Sequence, residues 1–253
     1  MLRQVASRIS MRSRERKLEL FLDRFGPTAE TTVVDVGVTD APFGGGSTDN
    51  FFEARYPWPG QITGVGHTEL DRFAAAFPSV TPVRADGRAL PFSDRQFDLG
   101  FSNAVIEHVA GGRSGQRQFI EELCRVAGRV FVTTPNRLFP FDPHTLLPAV
   151  HWLPPGGVRD RLLRARGFDD VLDPLSPKQL AALFPYPVEV INTGFTLIAL
   201  GVGAAWGSSL MGLLLPDLVP GAFRDHHGRP PAYLDRKSTR LNSSHRCISY
   251  AVF

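Results

Sequence analysis

The sequence predicts an α/β protein built on a doubly wound, mostly parallel sheet, and three observations carry that prediction. Short runs rich in Val, Ile, Thr and Phe recur at 31–37, 61–66, 81–86, 97–102 and 129–134. Helical patterns stand among them at 48–56, 69–77 and 116–126. The connections are mostly short and polar, with Gly, Pro and Asp at the breaks. Strands and helices in alternation make a parallel sheet covered on both faces. A chain of 253 residues with 43% hydrophobic content is large enough to bury such a core.

The chain opens on a basic amphipathic helix, residues 1–26. Within residues 1–17, Arg3, Arg8, Arg12, Arg14, Arg16 and Lys17 stand against a single acid, Glu15, and the pattern runs on through Leu18, Phe21 and Phe25 to stop at Gly26 and Pro27. It lacks the continuous apolar stretch of a secretory signal. Such a helix can lie on an anionic membrane or act as a transit segment. The reading adopted is a solvated leading helix that covers one edge of the domain, with peripheral membrane contact not favoured.

The domain proper spans 27–200. Its first strand, 31–37, is a β-branched run that ends in Asp35 and Gly37, and the carboxyl end of a parallel strand is where ligands sit. A long loop, 38–47, leads into the helical pattern at 48–56. Strands at 61–66 and 81–86 follow, then 97–102 ending at Ser102 and Asn103, then the helix at 116–126 and the strand at 129–134. Residues 135–155 are rich in Pro, His and aromatics and too irregular for a core element, which marks an excursion of the lid or acceptor-binding kind. A helix at 177–184 and closing strands at 187–191 and 194–200 complete the pattern. Residues 193–216 hold no charge and are long enough to cross a membrane. The alternation of their first half favours a core strand followed by an apolar tail, so 201–234 reads as an apolar, then polar, tail.

Residues 235–253 resemble the conceptual translation of a sequencing-library adapter, and the native chain is read as ending near Leu234. The full sequence has 28 basic and 25 acidic residues; this stretch holds four of the former and one of the latter, so 24 of each remain. The apparent basicity therefore belongs to the tail, and no general argument for a nucleic-acid partner survives it. Cys247 goes with it. Cys124 stands alone within a helical pattern, as a buried core thiol, and the chain reads as a reduced, cytoplasmic protein.

The order of these motifs, from the strand ending in Asp35 and Gly37 through residues 85–108, resembles the class I S-adenosylmethionine-dependent methyltransferases, of the methyltransferase type 11 kind. The likeness covers roughly 33–200. It implies a Rossmann-like, seven-stranded sheet that is mostly parallel with an antiparallel closing strand, and S-adenosylmethionine as cofactor. It also implies that Asp35 and Gly37 sit at the cofactor's amino-acid end. Asp86 and Gly87 would meet the adenine, and Ser102 and Asn103 the methionine moiety. Two places depart from the family. The Gly-x-Gly-x-Gly loop is missing after Gly37, with glycines returning only at Gly44 to Gly46. Gly66 and His67 stand where a ribose-binding acid is usual, which leaves Glu69 as the nearby carboxylate.

No Gly-x-Gly-x-x-Gly or phosphate-cradling Lys-Ser/Thr loop is present. Glu107 and His108 are adjacent and diverge on a helix, and His144 and His151 lack a ligand spacing, so no metal is expected. An oxygen or nitrogen acceptor needs a base, and the candidates are His144 and Asp142 in the excursion, with His108 behind them. Phe139, Phe141, Leu146, Leu147 and Trp152 make that excursion apolar, which points to a small or lipid-like acceptor. The alternative is a non-catalytic relative of the same fold that serves as a binding or scaffold module.

Overall fold

A computed structural model describes residues 2–44, 49–139, 149–154, 156–165, 167, 172–191 and 250–252, with side chains from residue 11 to residue 191. They belong to one compact unit formed by 1–193 and 247–253; the second unit, 194–246, lies outside the described residues.

Helix α1 (Leu2–Phe25) leads into β1 (Val33–Val36), α2 (Phe51–Arg55), β2 (Ile62–Gly66), α3 (Asp71–Ala76) and β3 (Thr81–Arg84). Then come β4 (Phe97–Asn103), α4 (Gly112–Val126), β5 (Ala127–Thr133), α5 (Gly157–Ala165), α6 (Pro177–Ala181), β6 (Glu189–Ile191) and β7 (Tyr250–Val252). The strands lie in the order β3-β2-β1-β4-β5-β7-β6, and every pairing among them is parallel. The antiparallel closing strand expected at 194–200 lies outside the described residues. The place beside β5 is held by β7, from the adapter-like stretch; β5 offers an open row of backbone groups there, and three residues of any sequence can pair with it.

β1 and β4 are tied at both ends. Asp98 Oδ2 accepts from the Thr32 amide and hydroxyl at 2.9 Å each, and the Ser102 hydroxyl donates to the Val36 carbonyl at 2.8 Å. These bonds fix the register that sets Asp35 beside Phe101. Because strand side chains alternate between faces, each central strand feeds two cores. Val34, Val36, Val130 and Val132 pack with Phe119, Ile120, Leu123 and Val126 of α4 and with Leu180 of α6. Val33, Leu99, Phe101 and Phe131 pack on the other side with α1, α2 and Phe73 of α3. α6 starts with a capping box: the Ser176 amide donates to Gln179 Oε1 at 2.9 Å and the Gln179 amide to Ser176 Oγ at 3.4 Å.

α1 differs from the edge cover that its basic sequence suggested. Leu18, Phe21 and Phe25 are buried against the middle of the sheet. Phe21 has no exposed surface and meets the rings of Phe25, Phe52, Phe101 and Phe131 edge-on at centroid distances of 5.1 to 5.5 Å. Basic residues dominate the composition, but the apolar stripe decides where the helix goes. Cys124 lies on α4, where Tyr186 donates to its sulfur at 3.2 Å and burial raises the thiol to about 11, an unreactive core position.

Phe21→Ala removes the ring that joins these elements and is expected to destabilise the protein by about 3–5 kcal/mol. Urea unfolding checks this; a loss below about 1 kcal/mol would show that α1 is not part of the core.

Candidate functional site

Three neighbouring strands change character at their carboxyl ends on the face that α1 covers. β1 goes from Val33 to Asp35, β4 from Phe101 to Asn103, and β5 from Phe131 to Thr133. Two residues along a strand return to the same face, so the aromatic core gives way to polar groups in a single step. Helix periodicity on α1 matches it. Lys17 lies one turn before Phe21 and donates from Nζ to Thr133 Oγ1 at 3.2 Å, and Thr133 in turn donates to Asn103 Oδ1 at 2.7 Å. Arg14 comes one turn earlier, with its guanidinium 5.9 Å from the Phe51 ring centroid.

A cavity of about 260 Å³ opens here, and Arg14, Asp35, Gly37, Glu53, Asn103 and His108 are among its walls. β1 and β4 are adjacent, with β2 and β3 on one side and β5 on the other, so the cavity lies where the strand order reverses. That is where open parallel sheets hold ligands.

Backbone geometry shapes the floor. Gly37 has φ +127°, and a Cβ there would sit 2.1 Å from Val105 Cγ2, so only glycine lets the chain pass. Ala104 adopts φ +57° and donates its amide to Thr133 at 2.9 Å, turning the chain over the cavity straight after Asn103. A left-handed alanine is strain that its surroundings hold in place. The described part of the first loop, 38–44, is pinned by side-chain bonds. Asn50 accepts from the Thr39 amide at 3.0 Å and donates to the carbonyls of Thr39 and Ala41. Asp40 accepts from the amides of Arg72 and Phe73 at 2.7 and 2.9 Å, capping the start of α3.

Charge at the site is concentrated and largely buried. Asp35 and Glu53 are 6% and 4% exposed. Neither Glu53 oxygen meets a partner at ordinary hydrogen-bond geometry; the facing group is the Asp35 carboxyl. Burial first, then the charge and hydrogen-bonding contact of Glu53, raises Asp35 well above the usual carboxylate range, and burial also raises Glu53. Burial, with the charge of Arg14, presses Lys17 down to about 8, and Glu107 opposes them. Arg14 is likewise lowered by burial, against the pull of Asp49 and Glu107. Glu107 is fully buried and accepts from the Thr134 hydroxyl at 2.9 Å.

The residues singled out in the sequence divide into three groups. Asp35, Gly37, Asn103 and His108 come together at the cavity. Ser102 does not face it: its hydroxyl is buried in the bond to Val36. Asp86, Gly87 and Glu69 lie at the ends of β2 and β3, away from its walls. Asp86 is exposed and pairs with Arg88 at 2.6 Å, which holds its carboxyl below the usual range. At Gly87 a Cβ would meet Phe119 Cε2 at 2.5 Å, so packing requires glycine whatever binds there. Glu69 is 70% exposed and ion-paired with Arg84. Asp142 and His144 lie outside the described residues. Arg14, Lys17, Glu53 and Thr133 were not singled out. For Arg14 and Lys17 a signal was present: their spacing to Phe21 and Phe25 puts them on the apolar stripe of α1 rather than on its solvated side.

With this geometry in view, residues 33–129 match the methyltransferase domain family, a span short of half the chain. No curated protein matches. Solved structures are similar over limited stretches. The YcgJ protein of Bacillus subtilis is 23% identical with a TM-score of 0.35, covering 45% of this chain and 46% of its own. For the PH0226 protein of Pyrococcus horikoshii OT3 the identity is 25%, the TM-score 0.35 and the coverage 46% and 53%. An S-adenosylmethionine-dependent methyltransferase of Mesorhizobium loti is 19% identical with a TM-score of 0.34, covering 44% and 49%. This chain thus spans about half the length of each of these structures. Over 33–129 it resembles the S-adenosylmethionine-dependent methyltransferases, the segment that matches the methyltransferase domain family.

The buried carboxyl pair makes a prediction for stability. Above the ordinary carboxylate range of about 4, the folded chain retains a proton on the pair that the unfolded chain releases. Stability must therefore fall as pH rises towards the pair's raised value. Asp35→Asn combined with Glu53→Gln is expected to flatten that fall between pH 5 and pH 8 in urea titrations. An unchanged slope would show that the pair does not hold the proton.

Proposed function

We propose that the protein transfers a methyl group from S-adenosylmethionine to a small or lipid-like acceptor, with the cofactor's methionine end in the cavity at the β1–β4 switch. The observation that carries this reading is the joint placement of Asp35, Gly37 and Asn103 at that switch, inside the segment that matches the methyltransferase domain. The residues present suit the group. Gly37 leaves its backbone bare, Glu53 offers buried oxygens without partners, and Asp35 faces it. The adenosine would lie across the ends of β2 and β3, with Asp86 accepting from the exocyclic amine, Gly87 below the ring and Glu69 within reach of the ribose. Arg88 would then have to yield part of its hold on Asp86.

The bound cofactor supplies a methyl group already activated on a sulfonium. What remains for the chain is to bind, align and exclude water. Thr133, itself held by Lys17, donates to Asn103 Oδ1, so the Asn103 amide nitrogen is the donor left to face the cavity. His108 on the cavity wall is positioned to take a proton from an oxygen or nitrogen acceptor, the role also proposed for His144 and Asp142. The apolar surface of Leu138, Trp152 and Leu153 beside the excursion supports an apolar acceptor. Among the described residues no helix is long and apolar enough to cross a membrane.

Calorimetric titration with S-adenosylmethionine tests the reading. Binding is expected, and Asn103→Ala should weaken it by about 5- to 15-fold, the worth of one hydrogen bond of roughly 1–1.5 kcal/mol. Absence of heat at millimolar cofactor would contradict the proposal and favour a scaffold role.

A further inference from the structure

We propose that Lys17 is a positioning residue of the ligand site: its ammonium, acting through the Thr133 hydroxyl, sets which end of the Asn103 side-chain amide the ligand meets. The inference deepens the functional reading above and rests on it for what Asn103 binds. The arrangement of the three side chains stands without it.

Three elements contribute to one line of hydrogen bonds. Lys17 of α1 donates from Nζ to Thr133 Oγ1 of β5 at 3.2 Å, and Thr133 Oγ1 donates to Asn103 Oδ1 of β4 at 2.7 Å. Asn103 ends the line at the cavity wall, with Thr133 and Lys17 behind it. The backbone keeps the two strand members together. Asn103 and Thr133 are partners in the β4–β5 register, and the Thr133 carbonyl accepts from the Ala104 amide at 2.9 Å. Thr133 has no exposed surface, so water does not compete for its hydroxyl.

The line has a polarity, and Lys17 imposes it. A hydroxyl carries one hydrogen, whereas an ammonium carries three donors and no lone pair. Beside a protonated Lys17, Thr133 Oγ1 has to accept, and its one hydrogen is left for Asn103. Asn103 then turns its oxygen to Thr133 and its NH₂ group to the cavity. A neutral Lys17 has a lone pair, to which Thr133 can turn its hydrogen instead. Asn103 then loses the donor that fixed its oxygen. Its amide can rotate about the last torsion, and an oxygen in place of the NH₂ group repels a ligand oxygen.

The proton on Lys17 is therefore part of the site. Burial brings Lys17 down to about 8; Arg14, one turn earlier on α1, disfavours its charge, and Glu107, from the turn at 106–108, favours it. The strand residues in the line, Thr133 and Asn103, are neutral, and the cavity beyond adds Asp35, Asp49, Glu53 and His108. Ligand affinity that depends on the Asn103 donor must fall as pH rises through the Lys17 value.

Nitrogen-15 NMR of the ligand-free protein labelled at asparagine tests the arrangement, with Asn103→Ala identifying the Asn103 side-chain signal. That signal is expected to move as pH passes through about 8. Lys17→Met and Thr133→Val should each remove the step, and Lys17→Arg, which stays charged, should hold the low-pH position throughout. Calorimetry with S-adenosylmethionine reads the consequence. Lys17→Met and Thr133→Val should each weaken binding by about the 5- to 15-fold expected of Asn103→Ala, with no added loss when combined with it. Lys17→Arg and Thr133→Ser should keep the wild-type affinity. If Lys17→Met fails to fold, the near-isosteric Thr133→Val carries the same expectations. An Asn103 signal that stays fixed through the Lys17 titration, a step that persists in folded Lys17→Met or Thr133→Val, or losses that add to that of Asn103→Ala would each overturn the inference. Absence of heat from S-adenosylmethionine in the wild type would sink the functional reading, and the NMR signal would still decide whether Lys17 sets Asn103.

Discussion

The packing of Phe21 between Phe101 and Phe131 is the contact on which the rest of the site depends. It fixes where α1 crosses the sheet and how the helix is rotated about its axis. With that ring seated, helix geometry leaves little choice for the residues one and two turns earlier. Lys17 stands over the end of β5 and Arg14 over the Phe51 ring of α2. The same step along the strands takes Phe101 to Asn103 and Phe131 to Thr133. An aromatic core and a polar cavity are thus adjacent rungs of one ladder, and the leading helix spans both.

A cavity with so many charges is expensive unless each has an answer. Arg14 is opposed by Asp49 and Glu107, Glu107 is bonded to Thr134, and Lys17 is bonded to Thr133. Asp35 and Glu53 lie together without a cation, and burial raises the proton affinity of both. The pinned first loop contributes in the same way. Asn50 bonds Thr39 and Ala41, and Asp40 bonds the amides of Arg72 and Phe73, which ties the described residues of that loop to the starts of α2 and α3.

Much of this was legible in the chain. The runs at 61–66, 81–86 and 97–102 became β2, β3 and β4 with boundaries shifted by at most two residues, because short β-branched or aromatic runs bounded by turn residues leave few alternatives. Asp35 and Asn103 were legible because a parallel strand's carboxyl end is a fixed address. Ser102 was not: it shares that address, but alternation turns its hydroxyl to the α4 side and into the Val36 bond. The direction of α1 was obscured by its many arginines. Its partners on β4 and β5, Phe101 and Phe131, lie far along the chain from Phe21, and no local pattern announces a contact so distant. Glu53 was hidden for a related reason, since a glutamate on a short helix reads as solvated until the strand beside it is known.

The central claim is that α1 is a wall of the ligand site rather than a cover on the fold. Amide hydrogen exchange with and without S-adenosylmethionine tests it most directly. Protection is predicted on α1 around Arg14 to Leu18, together with 35–39, 49–53 and 101–108. Protection of the strand ends with α1 unchanged, or no protection at any of these segments, would contradict it.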